Sequence, residues 1–76
     1  MKKEEFLIDL EDVLQREEAC NEADVLDDYE EWDSLSKMAV MAYFGKNFGV
    51  KITLEQLRGV EKVSDLIALS GGKIVD

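Results

Sequence analysis

The chain of 76 residues is long enough for one small domain, which buries roughly 60% of the surface that its unfolded form exposes. It contains no histidine and one cysteine, Cys20, which excludes an intramolecular disulfide, a cysteine-based metal site and a histidine-dependent catalytic triad. The net charge of −9 disfavours nucleic acid and anionic membranes as partners, because such a chain would release no counterions from either surface.

We expect a single domain over residues 1–76 that works in the cytoplasm as a monomer. A lone cysteine fits a reducing compartment, and residues 1–12 lack the apolar segment of a signal peptide. The longest apolar run, residues 38–44, is far shorter than the roughly 20 residues of a membrane span. We therefore expect no membrane insertion.

The first part of the chain predicts one helix followed by a long loop. Five apolar residues recur with helical spacing and predict a helix from residue 3 to about residue 19: Phe6, Leu7, Leu10, Val13 and Leu14. Acids and turn-forming residues then predict a loop over residues 20–33, a length that is uncommon in a compact domain. Four residues interrupt the acids and are expected to pin the loop to the core: Val25, Leu26, Tyr29 and Trp32.

A second helix is predicted over residues 34–48. Either Asp33 or Ser34 can cap it, since each has a side-chain oxygen that accepts a bond from a free backbone N–H. Gly49 is well placed to end it. The apolar residues of this segment are numerous enough to supply a large part of the core.

Two shorter helices are predicted to follow. Thr53 and Gln56 fit a capping box that begins a short third helix. Ser64 is expected to be the N-cap of the last helix, which ends at the glycines of residues 71–72. No alternating strand pattern occurs, so the predicted fold class is all-α: a four-helix bundle with a short third helix and a long loop between the first two helices.

Ser34 allows several interpretations. An Asp-Ser pair before an apolar segment commonly does no more than start a helix. A catalytic pair of Ser34 and Lys37 would share one helix face, but no oxyanion hole accompanies it, and we expect no enzyme. A serine at a helix N-terminus is also favourable for a phosphate ester, because unpaired N–H groups and the positive end of the helix dipole lie beside it.

Three motifs together resemble the acyl carrier protein family, which includes the peptidyl and aminoacyl carriers. They are Asp-Ser-Leu at residues 33–35, Phe-Gly-Val-Lys-Ile at residues 48–52 and Val-Ser-Asp-Leu at residues 63–66. The resemblance covers essentially the whole chain and agrees with its length, its acidity and its predicted helices.

The resemblance implies that Ser34 is the attachment point of 4′-phosphopantetheine, which a phosphopantetheinyl transferase takes from coenzyme A. The thiol of this arm would carry an acyl group as a thioester, from a loading ligase to the acyl-transfer enzymes of a dedicated lipid or secondary-metabolite pathway. It also implies that Asp33 helps to dock the transferase and that Leu35 and Met38 are exposed residues that partner enzymes bind. A place in the core is the alternative for Leu35.

Two departures from the family bear on the partners. Trp32 stands where a small residue is usual, and the second helix carries no acid from residue 34 to residue 48. We therefore expect dedicated partner enzymes, attracted by the acids of the loop. The alternatives are an aminoacyl or peptidyl carrier loaded by an adenylating ligase, and a helical interaction module whose serine is never modified.

Overall fold

The computed structural model describes residues 1–76 as four α-helices and one short 3₁₀ helix, with no strand. The helices are α1 (Lys3–Leu14), α2 (Ser34–Phe48), α3 (Leu54–Arg58) and α4 (Val63–Leu69), and the 3₁₀ helix (Leu26–Asp28) lies between α1 and α2. They surround one core in a body of 27 × 25 × 18 Å. The predicted all-α class is confirmed. None of the four helices has the length and apolar character needed to cross a membrane.

The core forms where the apolar stripes of α1 and α2 meet. Phe6 of α1 and Phe44 of α2 are fully buried, and their rings pack edge to face with centroids 5.9 Å apart. Leu57 of α3 and Leu66 of α4 close the other sides at 1% and 0% exposure. Each helix is amphipathic, so burial of these stripes is what holds the helices together.

Helix α1 ends five residues earlier than predicted. Gln15 adopts a left-handed backbone conformation with φ of 55°. The backbone N–H groups of Gln15 and Arg16 then donate to the carbonyls of Asp12 and Glu11, which satisfies the helix end without a glycine. The prediction to about residue 19 was wrong because a helix stop normally signalled by glycine is made here by glutamine.

The connection from α1 to α2 is held by both side chains and backbone. Leu26 and Tyr29 are buried and Trp32 is partly buried, as predicted, whereas Val25 remains 37% exposed. Val25 pairs instead through its backbone, in an isolated antiparallel bridge with Lys62 before α4. The expectation that the Val25 side chain pins the loop was therefore wrong.

Helix α2 matches its predicted bounds, and α4 does not. Gly49 ends α2 with φ of 66°, a conformation that favours glycine. The N-cap of α4 is Lys62, two residues before the predicted Ser64. The Asp65 carboxylate accepts hydrogen bonds from the N–H groups of Glu61 and Lys62 at 2.9 and 3.0 Å, and this fixes the earlier start. Helix α3 has Thr53 as its N-cap, as predicted.

Candidate functional site

The start of α2 is fixed by a reciprocal pair of hydrogen bonds between Asp33 and Ser36. One carboxylate oxygen of Asp33 accepts from the Ser36 N–H at 2.9 Å, and the Ser36 hydroxyl oxygen accepts from the Asp33 N–H at 2.9 Å. The Ser36 hydroxyl also donates to the Asp33 carbonyl at 3.0 Å. Of the two predicted candidates for the cap, Asp33 is therefore the residue that serves, and Ser34 is not used for it.

Ser34 is the first residue of α2, and its side chain is exposed. Its hydroxyl makes no hydrogen bond within the protein, although it lies beside the first N–H groups of a 15-residue helix. Ser36 and Ser70 are buried, and each is engaged in hydrogen bonds. Ser64 is exposed too, but it belongs to the seven-residue helix α4 and its N–H donates to the Glu22 carbonyl. Ser34 thus combines access, a free hydroxyl and a long helix.

Two large apolar side chains lie on the exposed face of α2 next to Ser34. Leu35 is 78% exposed and Met38 is 60% exposed. The alternative that Leu35 belongs to the core is excluded. Three residues apart, Leu35 and Met38 are neighbours on the helix surface. The start of α2 therefore holds all four predicted site residues: the N-cap Asp33, and Ser34, Leu35 and Met38 in the first turn and a half of the helix.

The Lys37 side chain lies near the ring of Trp32. Its ammonium nitrogen is 5.6 Å from the ring centroid of Trp32, within range of a cation–π interaction. It forms no hydrogen bond with Ser34, so the structure offers no sign of a Ser34–Lys37 pair. Trp32 itself packs partly against the core, which places it as an anchor for the segment that enters α2.

Arg16 anchors the end of this loop to the end of α1. Its guanidinium donates to Glu31 at 2.8 Å and lies 3.7 Å from the ring centroid of Tyr29. We call these three residues, Arg16, Tyr29 and Glu31, the Arg16 clamp. A backbone hydrogen bond at Glu31 and the Arg16 guanidinium lower the pKa of the Glu31 carboxyl. The clamp holds the chain two residues before the cap of α2, so it positions Ser34.

Tyr29 also ties the loop to itself. Its hydroxyl donates to Asp24 at 2.7 Å, and the Asn21 N–H donates to the same carboxylate oxygen at 3.1 Å. The Tyr29 hydroxyl lowers the pKa of the Asp24 carboxyl, and the Asn21 N–H lowers it further. Burial, with the hydrogen bond to Asp24, raises the pKa of Tyr29. The phenol therefore stays neutral and remains a hydrogen-bond donor.

Three further acids of the loop are free of ion pairs. Asp27, Asp28 and Glu30 are exposed and form no ion pair. They precede a helix that has no acid at all. A partner at the start of α2 would therefore meet an apolar surface on the helix and negative charge on the loop.

Sequence reasoning did not identify the Arg16 clamp. The available signal was that Arg16 is the only base between Lys3 and Lys37. A single base among many acids is a natural partner for one of them, but its geometry depends on where α1 ends, and that end was mispredicted.

Comparisons with protein-family models, with curated proteins and with solved structures find no match to this chain.

Proposed function

We propose that the protein is a carrier that bears an acyl group on a 4′-phosphopantetheine arm attached to Ser34, with the four helices arranged as in acyl carrier proteins. The observation that carries the proposal is the free, exposed hydroxyl of Ser34 at the first position of α2, where Asp33 and Ser36 do all the capping. The hydroxyl of a serine that caps a helix is hydrogen-bonded to the backbone. The Ser34 hydroxyl is not, so it is available to react with another molecule.

The chemistry expected at Ser34 is transfer of phosphopantetheine from coenzyme A by a phosphopantetheinyl transferase. The Ser34 oxygen forms a bond to the phosphorus that bears the pantetheine, the pyrophosphate bond of coenzyme A breaks, and adenosine 3′,5′-bisphosphate leaves. The hydroxyl proton goes to a base of the transferase. The phosphodiester that results is favoured by the first N–H groups and the dipole of α2.

The proposed roles of the neighbouring residues follow from their exposure. Leu35 and Met38 would enter apolar pockets of the transferase and of later acyl-transfer enzymes, since a few buried apolar anchors supply most of the affinity of such contacts. Asp33 uses one carboxylate oxygen for the cap, and the other accepts no hydrogen bond within the protein. With Asp27, Asp28 and Glu30 it would attract a basic patch on the partner.

The test is intact-mass spectrometry after incubation with coenzyme A and a broad-specificity phosphopantetheinyl transferase. Wild type and Ser64→Ala should each gain one phosphopantetheine, and Ser34→Ala should gain none. Ser64→Ala is the matched control because Ser64 is the other exposed serine in the first turn of a helix. Circular dichroism would verify that all three proteins are folded. No gain on folded wild type would refute the proposal.

The exposure of Leu35 and Met38 also supports a second function, a helical interaction module with an unmodified serine. The same experiment separates the two, because the module predicts that folded wild type stays unmodified. Two kinds of carrier differ in their cargo and in the enzyme that loads it. An acyl ligase would load an acyl carrier, and an adenylating ligase specific for amino acids would load an aminoacyl carrier.

A further inference from the structure

Two surface grooves follow one another along the seam between α1 and α2. The first, of about 410 Å³, lies between the end of α1 and the start of α2, and Asp33, Leu35 and Ser36 form part of its wall. The second, of about 420 Å³, continues towards Lys46 near the end of α2. Val13 and Ala39 line both grooves, so the two adjoin. We call them together the α1–α2 groove.

The groove begins beside Ser34. The residues on both sides of Ser34, Asp33 and Leu35, line its first part. From Ser34 to Lys46 the helix rises about 18 Å, at about 1.5 Å per residue. An extended pantetheine arm is long enough to span this distance, and attachment at Ser34 would keep it at high effective concentration over the groove.

The lining suits a chain that is apolar and polar in turn. Val13, Ala39 and Ala42 supply small apolar side chains. Polar groups border them: Gln15, Asn47 and the carboxylates of Asp9, Asp12 and Asp33. Pantetheine has the same character, because two amides and a hydroxyl alternate with methyl and methylene groups. Glu31 at the entrance is neutralised by Arg16 at 2.8 Å, which reduces repulsion of the phosphodiester.

The core offers no comparable space. Phe6, Phe44, Leu26 and Leu66 are fully buried, and none of them lines a cavity. An arm inside the bundle would have to separate these side chains, whereas the α1–α2 groove is already open. We infer that the phosphopantetheine arm rests outside the bundle, in the α1–α2 groove, with its thiol near Lys46. This inference rests on the proposed modification of Ser34.

Disulfide trapping tests this placement. Lys46→Cys puts a thiol at the far end of the groove. Lys51→Cys is the matched control, because it makes the same change of charge at an exposed residue of a different groove, of about 370 Å³, which is lined by α2 and the segment that follows it. Each variant is converted to the phosphopantetheine form, which is verified by mass. Oxidised glutathione is then added, so that a disulfide can form between the thiol of the arm and the new cysteine. Cys20 is common to both and buried, and burial raises the pKa of its thiol above the ordinary value of 9.0.

The expected result is that the bond between the arm and residue 46 forms about tenfold faster than the bond to residue 51. Ala39→Phe would fill the junction of the two grooves and should bring the rate at residue 46 down to the rate at residue 51. Equal rates in the two cysteine variants, or a faster reaction at residue 51, would overturn the placement and leave the carrier function intact. Failure of the folded protein to gain the arm would instead remove the carrier function, and this inference with it.

Discussion

The two faces of α2 differ in what they contribute. The inner face carries Val40 and Phe44, which are 1% and 0% exposed and belong to the core. The outer face carries Ser34, Leu35 and Met38, which are exposed and do not belong to the core. Since a helix of 3.6 residues per turn separates the two sets cleanly, substitutions should be able to remove stability and binding independently of each other.

The largest expected effect is on the inner face. Phe44→Ala removes a fully buried ring that packs against Phe6, and we expect it to lower the free energy of unfolding by about 3–5 kcal/mol. The core of so small a domain supplies about 3–5 kcal/mol in total, so the variant should be largely unfolded. Leu35→Ala should change stability by less than about 0.5 kcal/mol. Urea unfolding followed by circular dichroism measures both, and similar losses in the two variants would contradict the separation.

On the outer face the effect should appear in partner binding. Leu35→Asp is expected to lower kcat/KM for modification by the transferase about tenfold, which corresponds to about 1.4 kcal/mol. Its melting temperature should not change. Leu54→Asp is the control, because Leu54 is an exposed leucine on α3, at 45% exposure, away from Ser34. An equal loss of rate in both variants would mean that the position of Leu35 is not special.

Asp33, the N-cap of α2, contributes both to stability and to the charge that a partner meets. The effect of substituting it should therefore lie between the effects on the two faces. Asp33→Ala removes the acceptor for the Ser36 N–H and should cost about 1 kcal/mol of stability. Asp33→Asn keeps an acceptor at that position, so it should retain most of the stability and lose only the charge that faces a partner. Comparison of the two variants by urea unfolding and by modification rate separates capping from docking. Loss of stability in both, to the same extent, would show that the charge is what stabilises the helix.

Acid should weaken the hydrogen bonds and the ion pair that the carboxylates of Asp24 and Glu31 make in the loop. The pKa values of Asp24 and Glu31 are lowered in the folded protein. Their contribution to stability is therefore complete above their ordinary pKa values of 3.8 and 4.5, and it is lost as the pH falls through the lower folded values. Melting temperatures from neutral pH to about pH 3 should fall.

Tyr29→Phe provides the control for this acid effect. It removes the hydroxyl that donates to Asp24 and keeps the ring beneath Arg16. The variant should be less stable at neutral pH and should lose less stability on acidification. An unchanged slope of melting temperature against pH would show that the Tyr29–Asp24 bond is not the origin of the effect.

The parts of the fold that sequence predicted well are those with short-range signals. Local backbone requirements mark both ends of α2: Asp33, one of the two predicted caps, begins it, and Gly49 ends it as predicted. The end of α1 was missed because Gln15 takes a backbone conformation more typical of glycine. The start of α4 was missed because the Asp65 carboxylate fixes it two residues earlier, and the N–H of the predicted cap, Ser64, bonds to the Glu22 carbonyl, far away in sequence.

The same distinction applies to the site. The start of α2 at Ser34 was predicted from a local pattern, an Asp-Ser pair before an apolar segment. The exposure of Leu35 and Met38 was expected only from the family resemblance. The α1–α2 groove follows from neither, because it depends on how closely the two helices pack and on the small side chains of Ala39 and Ala42 at their seam. The shape of a groove between two helices is set by their packing, and no local sequence pattern predicts it.

The Arg16 clamp has a consequence for which substitutions the chain can tolerate. Arg16 uses its planar guanidinium twice, stacked on the Tyr29 ring and bonded to Glu31. A lysine has the same charge, but its ammonium is compact and strongly hydrated and cannot reproduce the planar stack. An exchange of arginine for lysine at residue 16 is therefore not a conservative change in this protein. The identity of this one side chain, and not only its charge, determines where the segment that leads to Ser34 is held.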